Sequence, residues 1–388
     1  MRVDALRLSE ISQNVMQSEI RAMSVECDRV GGINLAQGVC DTPIPEAVAE
    51  SALRAIRDGH NMYTRADGIA PLRQAIAAKL ERHNGLSVNP DNEVIVTSGA
   101  TGAFNSACLA LLDPGDEVVL FEPFYGYHVH TLLSLRVKPV AIPLEDPGWG
   151  IDFGRLRSAI TARTRAIIIN SPSNPCGKVF SREEMEAIAG IALEHDLFVL
   201  TDEIYEYFLY DGLEHISLAT LPGMADRTIS ISGFSKTFSI TGWRLGYLAA
   251  SSKWAGAISY FHDLTYVCAP SPFQHAAVHG LLQLPDAFYN SLSTEYQQKR
   301  DQLCEALTIA GLTPSVPGGA YYVLADATKL EGHTARQKAR TLLAKTGVAT
   351  VAGTAFMNEG RGENLLRFCF AKKDPDLDRA CAALSRLA

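Results

Sequence analysis

Short apolar runs rich in Val and Ile recur along the first part of the chain: EVIVTSG (93–99), DEVVLFEP (116–123), RAIIINSP (165–172), LFVLTDE (197–203) and RTISISG (227–233). Each is too short for a buried helix and reads as a strand covered on both faces. Helix-period stretches lie between several of them. In SREEMEAIAGIALEHD (181–196), Ser181 and Glu184 carry the signature of a capping box. Strands alternating with helices predict an α/β fold built on a mostly parallel sheet. Such sheets bind ligands at the carboxyl ends of their strands. The polar punctuation falls at those ends: Ser98 and Gly99, Glu122 and Pro123, Asn170 to Asn174, Asp202 and Glu203, Ser232 to Lys236.

From about residue 285 the pattern changes. A long polar helical stretch, AFYNSLSTEYQQKRDQLCEALTIAG, leads into PSVPGGAYYVLAD, a helix, TGVATVAGTAF, NLLRFCFA and a final helix. This mixture predicts a smaller α+β domain, made of residues 285–388 and the N-terminal 1–45, beside a large α/β domain spanning 46–284. No internal repeat or low-complexity tract interrupts either part.

Composition narrows the function classes. The 388 residues, 47% hydrophobic and 20% charged, suit a chain with a large core. With 35 basic and 43 acidic residues the net charge is −8, which disfavours nucleic acid and anionic membrane as main partners. Any phosphate must be gripped locally. The eight cysteines are scattered with no C-x-x-C pair, as expected of isolated thiols in a reducing cytoplasm. The N-terminus is interrupted by charge every few residues, and no stretch approaches a membrane span.

Lys236, in SGFSKTFSITGWRLGY (232–247), sits just past a buried strand among small, hydroxyl and aromatic residues. A lysine there is either a solvated loop residue or a desolvated amine of lowered pKa, ready to condense with an aldehyde. Pyridoxal phosphate would be such an aldehyde, and it demands particular partners. A carboxylate must keep the ring nitrogen protonated so that the ring can absorb electrons. Asp202, ending LFVLTDE, fits that need, or else it caps the following turn. Tyr205 and Asn174 could donate hydrogen bonds to the ring oxygen. A phosphate asks for backbone N–H groups at a helix N-terminus, a hydroxyl and a cation. TSGATGAF supplies Gly99, Ala100 and Thr101; Ser235 adds a hydroxyl and Arg244 the cation.

At this point the chain resembles a fold-type I pyridoxal-phosphate enzyme of the class I/II aminotransferases, the aspartate, aromatic and kynurenine type. SGFSKTFSITGWRLGY resembles the family's lysine segment, and NSPSNPCGKVF its Asn-Pro-x-Gly segment. YTRADGIAPLRQAIA, TSGATGAF, EPFYGYH, DEIYEYFLYDG, PGGAYY and LLRFCF follow in family order from about residue 33 to the C-terminus. The resemblance implies a seven-stranded, mostly parallel sheet flanked by helices. It further implies Lys236 as the lysine bonded to the cofactor aldehyde, Asp202 at the ring nitrogen, and Asn174 and Tyr205 at the ring oxygen. Tyr125 would stack on the ring. Gly99, Ala100, Thr101, Ser235 and Arg244 would hold the phosphate, completed by Tyr63 from the second subunit of a homodimer. Arg367 would grip the substrate carboxylate, with Gly38 lining that end. The pattern departs from some relatives at Gly233, where they carry a phosphate-binding hydroxyl; Ser232 or Ser235 would then substitute.

The implied activity is amino-group transfer between an L-amino acid and a 2-oxo acid by a ping-pong mechanism. Aspartate, glutamine and aromatic or kynurenine-type amino acids are the expected substrates. A second arginine facing a distal carboxylate would mark aspartate or glutamate, and spacing alone places none. A β-lyase acting on cysteine conjugates is the alternative on the same fold. A non-catalytic pyridoxal-phosphate-binding regulatory module is more remote, because the motifs begin too early to leave room for a DNA-binding domain. His128 and His130 form an H-x-H without a third ligand at recognisable spacing, so no metal is expected. Hydrolase, P-loop and zincin motifs do not occur.

Overall fold

The computed structural model describes residues 6, 8–14, 19–145, 147–358 and 360–387. Part of the N-terminal segment assigned above to the small domain, residues 1–5, 7 and 15–18, lies outside the described residues, as does residue 388.

The central sheet contains β1 (Val94–Thr97), β2 (Glu117–Glu122), β3 (Lys138–Pro143), β4 (Thr164–Asn170), β5 (Phe198–Asp202), β6 (Thr228–Gly233) and β7 (Gly246–Ala249). Their order is β1-β7-β6-β5-β4-β2-β3. Only β7 runs antiparallel to its neighbours. The expected mostly parallel, seven-stranded sheet is therefore the observed one.

Alternation along the strands sends successive side chains to opposite faces. Val118 and Leu120 of β2 join Ile168 and Leu200 in a core closed by Phe104, Ala107 and Cys108 of the helix Gly99–Leu111. Val119 and Phe121 join Ile167 and Val199 on the other face, under Ile188 and Ile191 of the helix Arg182–Glu194. Both faces are covered, which is why these strands read as continuous apolar runs. The capping box is present: Ser181 Oγ accepts from the Glu184 N–H, and Glu184 accepts from the Ser181 N–H.

Two strands escaped the sequence reading. β3, KPVAIP, carries Lys138 and two prolines, residues a strand tolerates at a sheet edge, where β3 lies. β7 is only four residues long and opens on Gly246, whose side-chain position is filled: a Cβ there would lie 2.6 Å from the Ala100 N. Glycine lets β7 press against the start of the helix at Gly99.

The C-terminal part holds a four-stranded antiparallel sheet of β8 (Thr313–Ser315), β9 (Tyr322–Asp326), β10 (Val351–Ala352) and β11 (Leu365–Cys369), ordered β10-β11-β9-β8. The helix Asp286–Ile309 packs against it and against the helix Asp374–Leu384. Ile33–Asn34 pairs in parallel with Val348–Ala349, so the N-terminal segment is stitched to the C-terminal one. Met23 and Cys27 of the helix Glu19–Val30 share a core with Leu303, Val323, Val348 and Phe368.

Candidate active site

The carboxyl ends of β5 and β6 open into a cavity of about 560 Å³. Lys236, Asp202, Tyr205, Asn174, Tyr125, Ala100, Thr101, Ser235, Arg244, Gly38 and Arg367 all line it. Gly99 does not line the cavity but lies against Arg244, which does. Tyr63 lies elsewhere, 81% exposed to solvent.

Asp202 is the last residue of β5, so the parallel sheet delivers its carboxylate to the cavity floor. It is buried, and Oδ1 accepts a hydrogen bond from the Ile204 N–H at 3.3 Å, the local turn contact expected of a cap. Oδ2 lies 3.2 Å from Nε2 of buried His128, on the helix Gly126–Ser134. Asp202 is thus cap and cavity residue together. His128, read in sequence only as half of an H-x-H, is its partner.

Lys236 follows β6, and its Nζ donates to the Gly38 carbonyl oxygen at 3.1 Å. The amine opens on the cavity but is ringed by protein, including the faces of Tyr205 and Tyr321. Burial pushes its pKa below the ordinary lysine value, outweighing the attraction of Asp202. Tyr205 is buried, with its hydroxyl 3.1 Å from that of Tyr322. Burial and the neighbouring tyrosine hold the Tyr205 phenol protonated, its pKa well above the usual value.

Arg367 comes from β11 and is almost fully buried, at 1% exposure. Its Nη1 donates to Asn174 Oδ1 at 3.0 Å and its Nη2 to the Ala36 carbonyl at 2.6 Å. The Tyr322 and Phe356 rings flank the guanidinium at 4.4 and 4.6 Å. Its Nε has no protein partner among the described residues. A buried donor left over in a fixed guanidinium is a vacancy for an acceptor that is not protein.

The helix Gly99–Leu111 points its N-terminus into the cavity, and the Ser98 side chain does not cap it. Gly99 has φ +73°, and a Cβ there would lie 2.6 Å from Nη2 of Arg244. Arg244, itself left-handed at φ 53°, therefore lies against the uncapped turn. Free N–H groups, Thr101, Ser235 and a guanidinium make a cradle for an anion. Ser232 takes no part in it, because its Oγ donates to Glu206 Oε1 at 2.7 Å on the far side of the turn. At Gly233, a Cβ would lie 2.9 Å from the Gly246 Cα, so the β6–β7 contact accounts for the glycine.

Sequence reasoning missed His128, Tyr322, and the outer wall of Arg21, Gln37, Tyr127 and Thr131. Tyr322 had one signal, its place in PGGAYY, and a Cβ on Gly38 would fall 1.9 Å from its hydroxyl. The outer wall carries no spacing signal.

An amine of lowered pKa, a carboxylate across the cavity and an anion cradle at a helix N-terminus match the aldehyde, ring nitrogen and phosphate of pyridoxal phosphate. That donor set defines a pyridoxal-phosphate transferase, and sequence comparison agrees. The family model for aminotransferase class I and II matches residues 30–384, and the chain belongs to this family. It is a transaminase of fold type I, and its cofactor is pyridoxal 5'-phosphate. It is 39% identical over 378 residues to a probable N-succinyldiaminopimelate aminotransferase, DapC, of Mycobacterium tuberculosis, covering 94% of this chain and 95% of the relative. To human kynurenine–oxoglutarate transaminase 3 it is 34% identical, covering 90% of this chain and 83% of the relative. The solved N-succinyldiaminopimelate aminotransferase of Mycobacterium tuberculosis superposes with a TM-score of 0.95 at 37% identity, over 98% of this chain and 100% of that one. Among the described residues no helix is long and apolar enough to cross a membrane.

Proposed function

We propose that the enzyme moves an amino group from an L-amino acid to a 2-oxo acid in two half-reactions with ping-pong kinetics, and that the residues above divide the work. Bound pyridoxal phosphate supplies an aldehyde that condenses with amines and a ring that takes up the electron pair freed at the substrate Cα. Lys236 bonds that aldehyde at rest. Once displaced by the incoming amine, its Nζ would take the proton from the substrate Cα and return it to the former aldehyde carbon, two bonds away across the shared nitrogen. A pKa lowered by burial leaves more of this amine in the unprotonated form that accepts a proton.

Asp202, steadied by His128, holds a proton on the ring nitrogen. Tyr205, kept protonated, and Asn174 donate to the ring oxygen, and Tyr125 stacks on the ring. Gly99, Ala100, Thr101, Ser235 and Arg244 hold the phosphate. Arg367 grips the α-carboxylate, using its fork and the unpartnered Nε, while Gly38 and Tyr322 shape that end. The observation that carries this reading is the convergence on one cavity of Asp202 from the end of β5, Lys236 from the turn after β6 and Arg367 from the middle of β11.

A homodimer completes the phosphate site in this reading. Tyr63 and Met62 stand exposed, as do Leu53 and Ile56 of the helix Glu46–Arg57, an apolar surface suited to a second copy that would bring Tyr63 to the neighbouring cradle. The enzyme works in the cytoplasm, in keeping with eight free cysteines. Residues 46–284 act as the large domain, and 1–45 with 285–388 as the small one, in line with the shared core of Met23, Cys27 and Phe368. The test is a half-reaction screen: the pyridoxal form is mixed with single amino acids and its visible absorbance followed. Loss of the band with release of the matching 2-oxo acid supports transfer. Release of pyruvate and ammonia from cysteine conjugates, without transfer, would replace it with β-elimination.

A further inference from the structure

The cavity is lined by four cations, Arg21, Lys236, Arg244 and Arg367, and a single acid, Asp202. In the transfer reading above, on which this inference rests, three of those cations are engaged: Lys236 by the aldehyde, Arg244 by the phosphate, Arg367 by the α-carboxylate. Asp202 faces the ring nitrogen. Arg21 is left over.

Arg21 makes no hydrogen bond or ion pair with any described residue. Two of the three acids on its own helix are taken, Glu19 by Arg336 at 2.6 Å and Glu26 by Arg340 at 2.8 Å, and the third, Asp28, stands two turns away from Arg21. Those pairs tie the helix Glu19–Val30 to the helix Ala335–Thr346. Ile20, Arg21 and Ser24 present one helix face to the cavity. The Ser24 hydroxyl is already used, donating to the Ile20 carbonyl at 2.9 Å and accepting from Asn34 at 3.0 Å. Among the described residues, Arg21 and the Gln37 side chain are therefore the free donors of this wall. The two guanidiniums differ in kind. Arg367 is buried and fixed by Asn174 and Ala36, whereas Arg21 is exposed at the cavity wall.

We propose that Arg21 selects the substrate by binding a second, distal carboxylate, so that the preferred partners are dicarboxylic amino acids and 2-oxo acids. Such a substrate bridges the fixed and the free guanidinium through one carboxylate each. A monocarboxylic substrate uses Arg367 alone and leaves Arg21 in water. Planar guanidinium–carboxylate pairing is geometrically selective, and lysine does not reproduce it.

The test uses the holoenzyme and Arg21→Met, with Arg21→Lys as the conservative variant. Half-reaction kcat/KM is measured for glutamate and aspartate against alanine and phenylalanine, and the Kd of glutarate, an unreactive dicarboxylate, is read from the cofactor spectrum. Wild type should favour the dicarboxylic pair. Arg21→Met should lose about ten- to a hundred-fold in kcat/KM for that pair and bind glutarate correspondingly more weakly, through KM rather than kcat. Alanine and phenylalanine should be unaffected, and Arg21→Lys should recover part of the loss. If wild type reacts with alanine or phenylalanine but gains nothing from a second carboxylate, or if Arg21→Met keeps the preference, the role of Arg21 is overturned while transfer stands. If wild type reacts with no amino acid, both fall.

Discussion

Replacing Lys79 by methionine removes one charge from a buried network that lies behind the catalytic turn. Lys79 Nζ donates to Glu206 Oε2 at 2.5 Å, to Asn84 Oδ1 at 2.9 Å and to the Tyr247 hydroxyl at 3.1 Å, with both charged side chains almost wholly buried. Glu206 also accepts from Asn84 at 2.8 Å and from Ser232 at 2.7 Å. Its neighbour Glu203 accepts from Thr201 at 2.7 Å and Ser217 at 3.0 Å, and lies 2.8 Å from His215 Nε2. Asp202, Ile204 and Tyr205 face the cavity from the same short turn that Glu203 and Glu206 anchor from behind. Burial alone would raise the Glu206 pKa, but the Lys79 ammonium reverses this and holds it down at about 2. Without that ammonium a carboxylate is stranded in the interior, at a cost of about 3–5 kcal/mol. An unfolding entropy of about 2.1 cal/mol/K per residue makes that a fall of roughly 4–6 °C in the melting midpoint.

Scanning calorimetry of the holoenzyme at a fixed scan rate reads this shift. The sign with pH follows from the depressed carboxylate. Glu206 contributes stability that is present above its unfolded pKa, near 4.5, and is lost as pH falls towards 2. The deficit of Lys79→Met should therefore be greatest near neutrality and narrow in acid, where the stranded carboxylate takes up a proton. Lys79→Met/Glu206→Leu should recover most of the loss, because removing both partners strands no charge. An unchanged midpoint in the single variant, or a double variant that adds the two losses, would refute the reasoning.

Three further outcomes follow from the geometry. Gly99→Ala forces a Cβ to within 2.6 Å of Arg244 at a left-handed φ, so the apo variant should bind pyridoxal phosphate at least tenfold more weakly by fluorescence titration. Arg367→Lys keeps the charge but loses the fork, and half-reaction kcat/KM should fall about ten- to a hundred-fold with every amino acid, unlike the selective effect at Arg21. Tyr63→Ala should leave a dimer in sedimentation yet loosen the cofactor, and a fully active monomeric wild type would contradict the shared site.

Much of the site was legible because a parallel sheet sends its chemistry to one edge. Asp202 ends β5, and Lys236 follows β6, so finding the strands located the residues. Gly99 and Thr101 could be read for the same reason, as the turn from β1 into its helix. What stayed hidden depends on contacts distant in sequence. Nothing in EPFYGYH says that His128 will lie 3.2 Å from Asp202, 74 positions later, because that contact arises from the packing of the helix Gly126–Ser134 over the sheet. Arg21 lies on a helix held in place by Arg336 and Arg340, far along the chain, so its arrival at the cavity is a tertiary fact. Gly233 was misleading for a local reason: its missing side chain makes room for β7, which the sequence reading had not placed.

Every role assigned around the cavity depends on the amine at Lys236. Borohydride reduction of the holoenzyme, followed by proteolysis and mass spectrometry of the modified peptides, reads that bond directly. One phosphopyridoxyl adduct per chain is expected, on Lys236, and none in Lys236→Ala. An adduct on another lysine of the native enzyme, or a colourless protein that takes no label after incubation with the cofactor, would contradict it.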